Sequence, residues 1–140
     1  MYADYSYYVN DYLGTELDQG EYPQYAERAS EFIDYITFGK AKRSPDLPEV
    51  KKCCCAIAEQ YATISAVREA ARGAVTSSGE IQSETVGAHS RSFRSGAESA
   101  QTVAALEAEV SNIARRYLLP TGLLYRGGVS GVCSSCCNPI

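Results

Sequence analysis

Cysteines are the residues of this chain whose chemistry could form a reactive or metal-binding site. Cys133, Cys136 and Cys137 have the two-residue gap of a zinc knuckle or of a redox motif. A structural zinc site needs further ligands at comparable spacing, and the only histidine, His89, lies far away in the sequence. A redox role needs a strand followed by a helix, which this segment lacks. We therefore expect no metal and no cofactor, and keep a small cytosolic zinc-binding or thiol module built on these three cysteines as the alternative function.

A second group of cysteines, Cys53 to Cys55, lies on a predicted helix. Because successive helical side chains diverge by about 100 degrees, three consecutive thiols cannot converge on one ion. Free cysteine behaves as a small hydrophobic residue, and the long helices can form a core without disulfides. The sequence therefore predicts three reduced thiols buried in the core.

The remaining polar residues do not form a catalytic pattern. One histidine and scattered carboxylates do not compose a nucleophile, a base and a residue that orients the base. No glycine-rich phosphate loop follows a strand, because Gly127 and Gly128 precede a tail rather than a helix. These patterns predict a protein that is not an enzyme.

The charge balance limits the classes of partner. The chain of 140 residues has 17 acidic and 13 basic side chains and a formal net charge of -4. This balance disfavours a general affinity for nucleic-acid phosphates and for anionic membranes. No run of about 18 apolar residues and no secretory signal is apparent. The composition predicts one domain without a membrane span, assembled in a cytosol.

The stretch from Asp46 to Val75 is the element that must position the other elements. Its apolar seam has the helical period, broken only by Arg68, and runs through Val50, Cys54, Ile57, Tyr61, Ile64, Arg68, Ala71 and Val75. Asp46 and Glu49 form an acidic capping box, which predicts a helix that begins near Asp46. A second stripe of small residues predicts another neighbouring helix and consists of Cys55, Ala58, Ala62 and Ala66.

Tyrosines dominate the first 40 residues. Tyr5, Tyr8 and Tyr12 are spaced for one face of a short helix, and we expect Gly14 to end this helix in a left-handed conformation. Tyrosine combines a large apolar ring with a hydroxyl group that favours the solvent-exposed edge of a domain or interface. Such a cluster indicates either packing against its own domain or a protein interface.

The rest of the chain completes a predicted bundle. An amphipathic helix from Pro23 to Phe38 is closed by Gly39, and the basic run at 40–43 then complements the helix dipole. A helix that begins at Ser95 has a seam that reaches Tyr117, and we expect it to lie antiparallel to the central helix. The predicted fold is mainly α. It is a small helical bundle of about three to four helices over residues 1–127, with a short β-hairpin or loop insertion at about 76–95 and an extended Gly/Ser/Cys-rich C-terminal tail at 128–140.

Three segments resemble the head-tail connector proteins (adaptor, or head-completion proteins) of tailed bacteriophages. The first combines YADYSYYVNDYLG with RASEFIDYITFG, between residues 2 and 39. The second is SETVGAHS, at residues 83–90, and the third is YLLPTGLLYRG, at residues 117–127. The resemblance lies in the order and spacing of these motifs and covers most of the chain.

The resemblance implies a structural virion protein. Connector subunits form a homo-oligomeric ring, typically of about twelve subunits, beneath the portal protein. Such a ring extends the channel through which double-stranded DNA passes without sequence-specific binding, and it contacts a tail-side connector or terminator protein. The implied location is the head-tail interface of the virion, after assembly in the bacterial host cytoplasm. The interface candidates are Tyr5, Tyr8, Tyr12, Val86, His89, Tyr125 and Arg126.

Overall fold

The computed structural model describes residues 1–77 and 96–125 and consists of four α-helices in these ranges. The helices are α1 (Tyr5–Asn10), α2 (Tyr22–Ile36), α3 (Pro48–Ser77) and α4 (Gly96–Leu118). Short 3-10 helices follow α2 at Lys40–Arg43 and α4 at Leu119–Thr121. The described residues contain no strand, and the prediction of a mainly helical bundle is confirmed. The predicted hairpin or loop lies outside the described residues from 78 to 95, as does the predicted tail at 128–140.

The helix α3 is the centre of the bundle and packs against both α2 and α4. Gln60 of α3 donates a hydrogen bond to the carbonyl of Leu106 at 3.2 Å, and farther along α3 Arg72 lies beside Ala100. Along the pair, the residue numbers of the contacting residues increase in α4 as they decrease in α3. The two helices therefore run antiparallel, as the sequence predicts.

One continuous core joins the four helices. Its fully buried side chains include Tyr8 of α1, Tyr22 and Ile33 of α2, Ile57 of α3 and Leu118 of α4. Apolar burial of this kind is the main favourable contribution to folding, at about 25 cal/mol for each Å² removed from water. The bundle therefore depends on contacts between helices that are far apart in the sequence.

The ends of α1 and α2 differ in how far they match the prediction. Gly39 has the left-handed conformation, with φ 72, and its N–H donates to the carbonyl of Asp34 at 2.8 Å, so the predicted end of α2 is confirmed. After α1, Leu13 takes the left-handed conformation, with φ 61, and Gly14 does not. The prediction for Gly14 is wrong because this glycine provides space instead. A Cβ atom there would lie 2.1 Å from Cε2 of Tyr8.

Candidate functional site

The three consecutive cysteines of α3 are fully buried, as the sequence predicts. The Cys54 thiol donates to the carbonyl of Ala26 at 3.4 Å, whereas Sγ of Cys55 lies 3.4 Å from the Tyr22 hydroxyl. Burial raises the pKa of the Cys53 and Cys54 thiols, and it raises the pKa of Cys55 to about 12. These thiols are protonated at neutral pH and point to different neighbours, so they act as small core residues.

Four tyrosines form a cluster where α1 meets α2, which we call the tyrosine cluster. The Tyr8 ring lies at its centre, and the ring centroids of Tyr5, Tyr12 and Tyr22 lie 6.0, 5.8 and 4.7 Å from it. These separations lie in the range at which aromatic rings attract one another. Packing of the N-terminal tyrosines against their own domain, one of the two predicted roles, is therefore confirmed.

Glu59 of α3 ties the tyrosine cluster to the bundle through two hydroxyl groups. Tyr8 donates to Oε1 of Glu59 at 2.8 Å, and Tyr12 donates to Oε2 at 3.2 Å. The Tyr8 hydroxyl also accepts from the N–H groups of Glu16 and Leu17, at 3.0 and 3.2 Å. Burial, followed by the hydrogen bond to Glu59, raises the pKa of Tyr8 to about 12. Both hydroxyls stay neutral at physiological pH, so this arrangement holds the loop after α1 against α3.

The structure corrects one predicted interface residue. The interface role does not hold for Tyr8, because its side chain is fully buried inside its own subunit and cannot reach a neighbour. Tyr5 and Tyr12 are partly exposed, and Tyr125 is 68% exposed. The other predicted site residues lie outside the described residues and are Val86, His89, Arg126, Cys133, Cys136 and Cys137.

Sequence reasoning missed an exposed aromatic surface at the end of α2. We call the segment from Tyr35 to Arg43 the α2 tip. Tyr35 is 79% exposed and Phe38 is 63% exposed, and Lys40 donates a hydrogen bond to the carbonyl of Tyr125. The helical period gives a signal for Tyr35, because this residue lies away from the apolar face formed by Ile33 and its neighbours. For Phe38, the sequence signal is its position at the end of the helix, directly before Gly39, which takes the left-handed conformation.

An acidic depression lies between the loop that precedes α2 and the exposed part of α3. We call it the acidic groove. It is lined by side chains that include Glu16, Glu21, Tyr25, Glu59, Ala62, Ala66 and Glu69. No lysine or arginine of the described residues lines it. Its small residues belong to the stripe for which the sequence predicts a second neighbouring helix, but Ala66 is exposed within this subunit.

The described side chains offer no metal site and no membrane span. Within residues 1–77 and 96–125, no three His, Cys, Asp or Glu residues are grouped so that they could hold an ion. None of the helices in these ranges is long and apolar enough to cross a bilayer. Comparisons with protein-family models, with curated proteins and with solved structures found no match.

Proposed function

We propose that this chain is a non-enzymatic structural subunit of a tailed bacteriophage, which forms a ring beneath the portal and joins the head to the tail. The observation that carries the proposal is the exposed aromatic surface of the α2 tip, beside Tyr125. Aromatic side chains are enriched in protein interfaces and are common among the residues that contribute most to binding. Their exposure supports a protein that functions by contact with other proteins.

The arrangement of the resembling segments also supports the proposal. The N-terminal segment is fixed to α2, since the Tyr2 N–H donates to Oγ of Ser30 at 3.0 Å and the amino group of Met1 lies 3.0 Å from Glu27. In the segment that begins at Tyr117, the carbonyl of Tyr125 accepts a hydrogen bond from Lys40 of the α2 tip. Two motifs that lie far apart in the sequence thus meet on one bundle, as expected of a small connector subunit.

The charge of the chain fits a channel through which DNA moves. Affinity for DNA comes largely from lysine and arginine side chains that neutralise phosphates and release counterions. A subunit with a net charge of -4 supplies little of this attraction. A ring of such subunits would let double-stranded DNA pass without retaining it.

The test is the detection of the ring in particles. Native mass spectrometry of the full chain with the portal of the same phage is expected to show one closed ring of copies on the portal. Imaging of the virion is expected to show density for these copies between portal and tail. A chain that stays monomeric with the portal and is absent from particles would contradict the proposal.

A further inference from the structure

The two surfaces described above carry opposite charge. The α2 tip contains Lys40, Lys42 and Arg43 on one 3-10 helix. The side chain of Lys42 is 69% exposed, and its Nζ lies 3.5 Å from Oδ2 of Asp34 in the same subunit. The acidic groove is lined by four glutamates, without a basic residue from the described part of the chain. Complementary charge of this kind steers two surfaces together and fixes their register.

The α2 tip is held in a defined shape before any contact is made. The Thr37 hydroxyl donates to the carbonyl of Ile33 at 2.7 Å and accepts from the N–H of Ala41 at 3.3 Å. The N–H of Lys42 donates to the carbonyl of Gly39 at 3.2 Å. Because these bonds order the backbone of the segment, less backbone entropy is lost when the tip binds a partner.

The acidic groove is also formed in advance. Glu59 at its edge is held by the hydroxyls of Tyr8 and Tyr12, so the glutamate keeps one orientation. Ala62 and Ala66 on its α3 side have short side chains, which permit close approach by large residues. The groove therefore combines negative charge with small side chains, Ala62 and Ala66 beside Thr63 and Ser65, that leave room for a large residue.

We propose that the α2 tip of one copy of this chain docks in the acidic groove of the next copy. Arg43 and Lys42 then pair with Glu16 and Glu69, and Lys42 leaves its exposed contact with Asp34 to do so. The ring of Tyr35 covers the small residues of α3. The inference rests on the proposed function, because it gives the contact by which copies of the chain form the ring.

The tip and the groove lie at opposite ends of α2. The groove includes Glu21 and Tyr25 near the start of α2, whereas the tip follows the end of the same helix. This helix has 15 residues and a length of about 22 Å. One copy therefore cannot place its tip in its own groove, and repetition of a head-to-tail contact gives a closed ring when the rotation between copies closes.

The test begins with charge reversal on one surface at a time. The tip variant is Lys42→Glu with Arg43→Glu, and the groove variant is Glu16→Lys with Glu69→Lys. Sedimentation of the full-length chain is followed up to about 1 mM protein. The wild-type chain is expected to form species larger than a dimer, and either variant should need at least about tenfold more protein for the same assembly.

Two further samples make the test specific: a chain with both reversals, and a mixture of the two variants. A chain that carries both reversals is expected to assemble again, because the charges are complementary once more. A mixture of tip variant and groove variant should assemble beyond a dimer with the two chains alternating, since the intact tip meets the intact groove and the reversed tip meets the reversed groove. Circular dichroism must show a folded helical chain for every variant.

Matched controls carry the same charge changes at exposed or partly exposed positions away from both surfaces. Lys52→Glu with Arg116→Glu is the control for the tip, and Asp11→Lys with Glu109→Lys is the control for the groove. These chains are expected to assemble like the wild type. Raising the salt from about 0.05 M to about 0.5 M should weaken the wild-type assembly, because a shorter Debye length screens the exposed charges.

Several outcomes would overturn the inference. They are a wild-type chain that stays monomeric or stops at a dimer throughout the series, single-surface variants that assemble normally, and a doubly reversed chain that does not recover. If rings in virions persist unchanged in the variants, the tip-to-groove contact is wrong while the proposed function stands. Absence of the wild-type chain from virions would contradict the proposed function instead.

Discussion

The two halves of α3 have the same apolar period and very different surroundings. In the first half, the fully buried side chains are Val50, Cys53, Cys54, Cys55, Ile57 and Ala58. In the second half, among the side chains described from 62 to 73, only Ile64 is buried. One helix therefore contains both the most enclosed and some of the most open positions of the described chain.

The difference comes from the number of neighbours around the helix. The first half contacts the N-terminal segment and α2, as shown by the bonds from Tyr8 to Glu59 and from Cys54 to the carbonyl of Ala26. The second half contacts α4, with Arg68 beside Glu107, and its stripe of alanines borders the acidic groove. Stability is thus expected to reside in the first half, whereas the second half has surface left for a partner.

The largest expected effect compares the same truncation in the two halves. Ile57→Ala should lower the free energy of unfolding by about 4 kcal/mol, and Ile64→Ala by about 2 kcal/mol. Neighbours enclose Ile57 and hinder collapse of the cavity, whereas Ile64 lies among half-buried and exposed side chains that can move into the space. Urea unfolding of both variants measures the difference. Equal losses would show that the two halves are equally well packed.

The next largest effect is a loss of stability in alkali that comes from the first half. Burial raises the pKa of Cys53, Cys54 and Cys55 above their ordinary value of 9.0. The stabilisation from protonated thiols is fully present below pH 9 and is lost as the pH rises, because the unfolded chain releases protons that the folded chain retains. We expect a loss of about 1 kcal/mol for each of Cys53 and Cys55 between pH 9 and pH 10, and a further loss in the same direction for Cys54.

Urea unfolding at pH 7, 8, 9 and 10 tests this dependence, and Cys53→Ala provides the control. This variant loses side-chain packing at every pH, but the Cys53 thiol is absent, so its decline between pH 9 and pH 10 should be smaller by about 1 kcal/mol. A free energy of unfolding that stays constant up to pH 10 would show that the thiols titrate normally and are open to solvent.

Glycine substitutions in the two regions should have opposite signs. Gly14→Ala places a Cβ atom 2.1 Å from the buried ring of Tyr8, and we expect a loss of about 2 kcal/mol from the forced displacement. Gly73→Ala lies on the open half of α3, where a Cβ atom meets nothing within 4 Å, and should gain about 0.5 to 1 kcal/mol from helix propensity. Thermal unfolding of both variants checks the signs. A gain in both would mean that the tyrosine cluster adapts easily.

Local patterns predict much of the fold, and Gly39 shows why. The end of α2 depends on a few neighbouring residues and the left-handed preference of glycine, all of which are visible in the sequence. The role of Gly14 depends on the ring of Tyr8 beside it, and that ring is held by Glu59, 51 positions away from Tyr8 in the sequence. Periodicity thus identifies the helices, but it does not show which half of α3 is enclosed by the N-terminal segment and α2.

The same limit applies to the candidate surfaces. The residues of the acidic groove come from the segment before α2, from the start of α2 and from α3. The tip contacts the segment after α4, through Lys40 and Tyr125. A sequence pattern shows that a residue such as Tyr35 faces away from the core. It does not show which distant carboxylates share a depression, because that follows from the packing of helices joined by long connections.

The smallest expected effect concerns the only charged residue in the predicted seam of α3, Arg68. Its Nη2 atom lies 2.5 Å from Oε1 of Glu107, and both side chains are about half exposed, at 51% and 52%. Exposed ion pairs contribute little because water and salt screen them, so Arg68→Ala should lower the free energy of unfolding by no more than about 0.5 kcal/mol. Urea unfolding at about 0.05 M and 0.5 M salt measures this loss, which should shrink at the higher concentration. A loss above about 2 kcal/mol that is insensitive to salt would mean that the arginine stem is packed as firmly as Ile57, and the contrast between the two halves of α3 would then fail.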